Sequence, residues 1–211
     1  MRTDLLIAEL ASGHRPPGNP HRRIAIAIAT GWLIALAGLL LFLGMPLQEL
    51  RHTGMASFAV KLGYTVSLAI LSVMAAIAAG RPGSRLAGPV SLIAVPVTML
   101  LLVALLELAT TDAATRHELM FGSAYGDCVK SVVLASVPVF VSLVWGYRTL
   151  APTRLPAAGF LIGLSAGAAG ATAFALYCHE TSAAFLVAAY SPAMLIPAVI
   201  GAICGPILLK W

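Results

Sequence analysis

Hydrophobic and polar residues alternate along the chain in long blocks, with six apolar stretches separated by short polar segments. An α-helix needs ~20 apolar residues to cross the hydrocarbon core of a bilayer, which is ~30 Å thick. The blocks therefore predict an all-α fold, a polytopic membrane bundle of about six transmembrane helices. The predicted spans are 24–44, 58–79, 89–110, 128–150, 155–177 and 184–209.

The composition supports a membrane protein and excludes a soluble domain. Of the 211 residues, 60% are apolar and 10% are charged, and the mean hydropathy is +0.95. A soluble domain carries about a quarter charged residues, which its water-facing surface requires. Six spans use about 120 residues, which leaves short loops and no second folded domain. We expect a cytoplasmic N-terminal segment at 1–23 and one six-span domain at 24–211.

The N-terminal segment divides into a short amphipathic helix and a linker. Residues 3–11 have Thr3 as a candidate N-cap, and Leu6 and Leu10 share one helical face. A Pro-rich linker follows at 15–20. Isolated helices this short are marginal in water, so two interpretations remain open. Composition alone favours a frayed tail, and the alternative is a segment that folds onto a partner.

The distribution of Lys and Arg predicts that both termini are cytoplasmic, since short cytoplasmic loops are enriched in these residues. With the N-terminus inside, the inner segments hold nine cations and the outer ones four. The inner cations are Arg2, Arg15, Arg22, Arg23, Arg81, Arg85, Arg148, Arg154 and Lys210, and the outer ones are Arg51, Lys61, Arg116 and Lys130. No cleavable signal peptide is expected, because the chain opens with a polar, helix-capable stretch. The net charge of +5 is scattered over segment ends, so direct nucleic-acid binding is not predicted.

The interior of the predicted bundle contains few polar groups and several small ones. Glu107 and Lys61 lie near the outer ends of their spans, where we expect them to snorkel to the interface or to pair with each other. No acid or His lies near a midplane, which weighs against a proton or ion pathway. Gly163 and Gly167, four residues apart in the fifth span, predict close packing against another helix.

Two of the three cysteines are predicted to meet at the outer face. Cys128 opens the fourth span and Cys178 closes the fifth, and a tight inner turn makes these helices antiparallel. Their outer ends should reach one height, and facing residues of packed helices can approach the ~4.4–6.8 Å Cα separation of a disulfide. The alternative is two unpaired small hydrophobes at helix ends. Cys204, in the inner part of the sixth span, is expected to be a packing residue.

Polar residues flank both outer cysteines and extend the candidate site. Asp127 and Lys130 are neighbours of Cys128, and His179 and Glu180 follow Cys178. A nearby Lys130 or protonated His179 would favour the thiolate form of a cysteine. Two thiols and an imidazole also suit a soft metal, so the candidate metal ligands are Cys128, Cys178 and His179. No cofactor-binding motif is recognised, and no cofactor is predicted.

An ordered set of segments resembles the NrsF-type family (negative regulator of sigma F) of membrane anti-sigma factors. The set comprises the opening at 3–11 with its Pro-rich basic linker, Cys128, the segment 175–180, and the ending that runs from Gly201 and Gly205 to Lys210 and Trp211. The resemblance covers nearly the full length. It implies six spans in the bacterial inner membrane, with Cys128 and Cys178 as a sensing pair at the periplasmic face.

The resemblance also implies a partner, a function and a contact surface. The chain would hold an extracytoplasmic-function sigma factor on the cytoplasmic side and release it on metal or oxidative stress in the envelope, as a regulator and not an enzyme. Membrane lipids are the other expected partners. The candidate sigma-factor contacts, in the N-terminal segment and an inner loop, are Leu5, Leu6, Glu9, Leu10, Arg148 and Arg154.

Three other classes compete with this interpretation. A membrane thiol-disulfide oxidoreductase is the first alternative, although the chain has one candidate pair and no C-x-x-C motif. A small transporter would need midplane polar residues or internal repeats, and neither is visible. A purely structural membrane protein is the remaining alternative.

Overall fold

The computed structural model folds the apolar blocks into six helices that are long and apolar enough to cross a membrane. It describes residues 20–45, 55–81, 83, 86–122, 125–148, 150, 152–180 and 182–210. In chain order the helices are α1 (Pro20–Leu43), α2 (Met55–Ala79), α3 (Ala87–Thr110), α4 (Arg116–Phe121), α5 (Tyr125–Tyr147), α6 (Leu155–Phe174) and α7 (Ala183–Leu208). No strand occurs among the described residues, which confirms the predicted all-α fold.

The observed helices differ from the predicted spans at their ends. α1 begins at Pro20, four residues before the predicted start, and the short helix α4 was not predicted. α6 ends at Phe174, whose carbonyl accepts hydrogen bonds from the amides of Tyr177 (2.9 Å) and Cys178 (3.2 Å). This tightened last turn stops the helix before Cys178. Cys178 therefore lies just after the turn that ends α6, and the prediction that it closes the fifth span is wrong by a few residues.

The fifth long helix, α6, lies at the centre of the bundle. In its most apolar window 83% of residues are buried, against 11% for α3. It packs against α2, α5 and α7, and more lightly against α1. Its sequence is made almost entirely of small and aliphatic residues without a charge, so neighbours can surround it on every side. α3 lies at the edge, where it contacts α2 and the start of α7.

The contact between α6 and α7 is made by backbone atoms at close range. We call it the glycine seam, and it consists of Gly159, Gly163 and Gly167 with Met194, Pro197 and Gly201. A Cβ atom added to Gly163 would lie 2.1 Å from the Pro197 carbonyl oxygen, and one added to Gly159 would lie 2.0 Å from that of Gly201. Only glycine allows this approach, so the close packing predicted from Gly163 and Gly167 is confirmed.

The helical hairpin of α5 and α6 gives the bundle two distinct ends. The cysteine end holds Cys128, in the first turn of α5, and Cys178, just after α6. The arginine end holds Arg148, just after α5, and Arg154, just before α6. At 1.5 Å per residue, the 23 residues of α5 separate these ends by about 34 Å.

Candidate functional site, a buried cysteine pair

The structure brings Cys128 and Cys178 together at the cysteine end. Their sulfur atoms are 3.7 Å apart, and the two residues are only 3% and 4% exposed. Both are free thiols. Cys128 comes from α5, whereas Cys178 is held by the tightened turn that ends α6. The two thiols share one buried space, in which a change at one sulfur must affect the other.

Lys61 of α2 completes this space, although it was expected at the interface. The side chain is fully buried, and its ammonium nitrogen donates a hydrogen bond to the Cys178 carbonyl oxygen at 2.7 Å. Because α2 packs against the central helix α6, this face of α2 points into the bundle and away from the interface. The snorkelling prediction for Lys61 is therefore wrong. No pattern in the sequence indicates the contact, since Lys61 and Cys178 are 117 positions apart.

Glu107 of α3 holds the segment that follows Cys178. One carboxylate oxygen accepts hydrogen bonds from the Ser182 hydroxyl and from the Ala184 amide, both at 3.0 Å. The Ser182 hydroxyl in turn accepts from the Phe185 amide at 3.3 Å and caps α7. Glu107 thus binds one amide in the first turn of α7, where a negative charge is favourable. It does not pair with Lys61, because the one ion pair among the described residues joins Lys130 and Asp127.

A π-helical turn in α7, Leu186–Tyr190, brings two further hydroxyl groups to the cysteine end. The Tyr190 hydroxyl is completely buried and has no hydrogen-bond partner among the described residues. It faces the Cys178 sulfur and favours negative charge there. Just after the turn, Ser191 forms a 3.0 Å hydrogen bond with Tyr64 of α2. Neither Tyr64 nor Tyr190 is predicted from the sequence, although π-turns often occur at functional sites.

The surroundings of Cys178 favour its thiolate form. The hydrogen bond from the Cys128 thiol is the largest cause, and the Lys61 ammonium adds to it. Together they outweigh burial and lower the pKa of Cys178 to about 6. A thiol with this pKa is mostly ionised at neutral pH, and the thiolate is the form that attacks electrophiles and binds soft metals.

The four predicted flanking residues have different positions. Lys130 pairs with Asp127 at 3.5 Å, and both side chains are largely exposed, so the cation beside the thiols is Lys61 and not Lys130. His179 is exposed, whereas Glu180 is half-buried. The Glu180 carboxylate packs against Gly122, where an added Cβ would lie 2.5 Å from it. Within the described ranges no three His, Cys, Asp or Glu residues form a metal-binding group, so His179 does not join the thiols in one.

The predicted sigma-factor contacts lie elsewhere. Leu5, Leu6, Glu9 and Leu10 fall outside the described residues, as does the rest of the predicted amphipathic helix. Arg148 and Arg154 are exposed at the arginine end. The Arg148 guanidinium donates to the Leu208 carbonyl oxygen at 3.4 Å and connects the end of α5 to the end of α7. The two arginines thus lie next to the ends of α5 and α6 that are opposite the cysteine site.

Comparison with known proteins assigns the chain to a family. The family model described as negative regulator of sigma F matches residues 10–211. The chain belongs to the NrsF family. The probable anti-sigma-F factor NrsF of Azospira oryzae is 35% identical, and the anti-sigma-F factor NrsF of Caulobacter vibrioides is 32% identical. In both cases the match covers 100% of this chain and of its relative.

Membership in the NrsF family confirms the resemblance drawn from the ordered segments of the sequence. The match extends over the full length of this chain and of both relatives. No solved structure matches the chain.

Proposed function

We propose that this chain is a membrane anti-sigma factor that holds a sigma factor of the extracytoplasmic-function class until its cysteine pair changes state. The names of its two relatives support the anti-sigma role. The observation that carries the sensing role is the buried pair of free thiols 3.7 Å apart. The role is regulatory, and the chain acts by binding and release.

The proposed topology places both termini and the arginine end in the cytoplasm, with the cysteine end at the periplasmic face of the inner membrane. An even number of spans brings both termini to one side, and six helices of the described part of the chain qualify as spans. The excess of Lys and Arg at the arginine end and near the N-terminus supports the cytoplasmic side. A periplasmic cysteine pair lies in a compartment where disulfides form and persist.

The proposed switch starts at the two sulfur atoms. A disulfide bond is about 2.05 Å long, so oxidation must draw Cys128 and Cys178 together from 3.7 Å. The first turn of α5 and the turn after α6 then move relative to each other. A thiol modification or a soft metal bound by both sulfurs would act on the same two turns.

The movement has a route to the arginine end through the packed helices. Gly170 of α6 lies against the backbone of α5, since an added Cβ would meet the Ser136 amide nitrogen at 2.8 Å. Such close packing makes each helix move as a rigid body. At the far end α5 is bonded to α7 through Arg148, beside the proposed sigma-factor surface. A near-complete switch needs about 5.5 kcal/mol of differential affinity between the two states.

The experiment is a transcriptional reporter for the partner sigma factor in strains with Cys128→Ser or Cys178→Ser. We expect wild-type cells to induce the reporter under metal or oxidative stress, and each serine variant to lose at least about tenfold of that induction. Cys204→Ser is the matched control, because Cys204 lies on α7 away from the pair, and it should respond normally. Normal induction in both site variants would refute the sensing role.

A further inference from the structure

Lys61 is the only charged side chain among the described residues that is fully buried. Burying an ammonium ion is costly unless an opposite charge or several hydrogen bonds compensate for it. No described carboxylate lies within ion-pair distance of Lys61, and its one hydrogen bond goes to the Cys178 carbonyl oxygen. The acidic groups that act on it are the two nearby thiols first and, more weakly, the Glu180 carboxylate.

Of the two thiols, Cys178 is the better placed to carry the charge. Its own carbonyl holds the Lys61 ammonium at 2.7 Å. Its sulfur lies 3.7 Å from the Cys128 sulfur, and the Glu180 backbone amide and the Tyr190 hydroxyl both favour a negative charge on it. The ionisable groups around it thus come from four elements: Lys61 of α2, Cys128 of α5, Glu180 of the segment after α6 and Tyr190 of α7. Only the Glu180 carboxylate opposes a negative charge, and it is turned toward Gly122.

We propose that Lys61 is a positioning residue that keeps Cys178 as the thiolate of a thiol–thiolate pair, so that Cys178 and not Cys128 reacts first with an electrophile. The proposal deepens the sensing role and takes its biological meaning from the proposed function. Its chemistry can be tested without any sigma factor. It also assigns a purpose to a buried lysine that the helix pattern alone would place at the interface.

With a peroxide as oxidant, the order of events follows from this charge. The Cys178 thiolate attacks one peroxide oxygen, the O–O bond breaks, and the alkoxide or hydroxide that leaves takes up a proton. Cys178 is then a sulfenic acid. The Cys128 thiol loses its proton and attacks the Cys178 sulfur, which forms the S–S bond, breaks the S–O bond and releases water. Two thiols lose two electrons in total, and the peroxide is reduced. The disulfide carries no charge, so the Lys61 ammonium loses its counter-ion. The reaction at the cysteines therefore changes the electrostatic environment of α2.

The test is the infrared S–H stretching band of the full-length protein in detergent, with Cys204→Ser as background so that two thiols remain. At about pH 8 we expect the signal of one S–H group, and at about pH 5 the signal of two, because Cys178 is protonated only below its pKa of about 6. Lys61→Met should show two S–H groups at both pH values, and Lys61→Arg should behave like the background protein. Lys130→Met is the matched control, since Lys130 is exposed and paired with Asp127.

A second readout is the order of alkylation by iodoacetamide, followed by mass spectrometry. In the background protein Cys178 should react at least about tenfold faster than Cys128 at neutral pH, and Lys61→Met should abolish the preference. One S–H group at about pH 8 in Lys61→Met would overturn the proposal. If the Lys61→Met variant does not fold, the background protein alone tests the proposal. Two S–H groups in it at about pH 8 would mean that both thiols are protonated and Lys61 is neutral, which would overturn the proposal. If the S–H bands behave as expected but both cysteine variants still induce the reporter, the sensing role is rejected and the role of Lys61 stands.

Discussion

The glycine seam and the cysteine end are both buried, but opposite kinds of contact hold them together. In the seam, backbone meets backbone, and an added Cβ on Gly163 would lie 2.1 Å from a carbonyl oxygen. At the cysteine end, two free thiols, a lysine and a glutamate from four different segments meet through a few polar contacts. The seam permits one arrangement, whereas the cysteine end contains groups whose charge and bonding can change. The difference suggests a rigid axis beside a switchable site.

The glycine seam and the cysteine end share one helix, α7. The rigid seam can therefore hold α7 in place while its other end changes. α7 contributes Pro197 to the seam and Tyr190 to the cysteine end, with a π-helical turn just before the regular helix resumes. The π-turn absorbs an extra residue and turns Tyr190 toward the thiols. A helix fixed along most of its length can then respond locally at one end.

The largest effect should come from filling the seam. Gly163→Leu is expected to lower the free energy of unfolding by about 3 kcal/mol or more, because α7 must move away from α6 to make room. Gly63→Leu is the matched control, since an added Cβ on Gly63 of α2 meets nothing within 4 Å, and we expect a change below about 1 kcal/mol. Thermal unfolding in detergent and the level of protein in membranes measure both. Equal losses for the two variants would contradict a rigid seam.

A smaller effect should follow from removing the carboxylate that holds the segment after Cys178. Glu107→Ala deprives Ser182 and Ala184 of their acceptor, and we expect a loss of about 1–2 kcal/mol. Iodoacetamide should then reach Cys178 faster, because the segment that follows it is less firmly held. Glu118→Ala, an exposed glutamate of α4, is the control and should change neither quantity. If the Glu107→Ala protein is as stable and as slowly alkylated as this control, the Glu107 hydrogen bonds do not hold the segment after Cys178 in place.

Hydropathy and residue spacing predicted the bundle and part of the site, and the reasons are physical. Apolar blocks of bilayer length leave few alternatives to spanning helices, and antiparallel neighbours joined by a short turn bring Cys128 and Cys178 to one height. Glycines spaced by four residues predicted the seam because they share a helical face. Each of these inferences uses local sequence or neighbouring helices.

The polar partners of the cysteines could not be predicted in the same way. Which face of α2 or α3 points inward depends on helices distant in sequence, so Lys61 and Glu107 were assigned to the interface. α6 ends early at Phe174 because the carbonyl of this residue accepts hydrogen bonds from two amides. Such a contact cannot be predicted from composition. Lys130, two residues after Cys128 in the sequence, was an attractive candidate, but it pairs with Asp127, three residues before it.

The measurement that tests the central proposal most directly is the amount of sigma factor that co-purifies with tagged full-length protein, before and after oxidation of the cysteine pair to a disulfide. The proposal predicts that the reduced protein retains the sigma factor and that the oxidised protein retains at least about tenfold less, which corresponds to about 1.4 kcal/mol. The variant with both Cys128→Ser and Cys178→Ser should retain it under both conditions. Equal retention by the reduced and oxidised proteins, or none by either, would contradict the proposal.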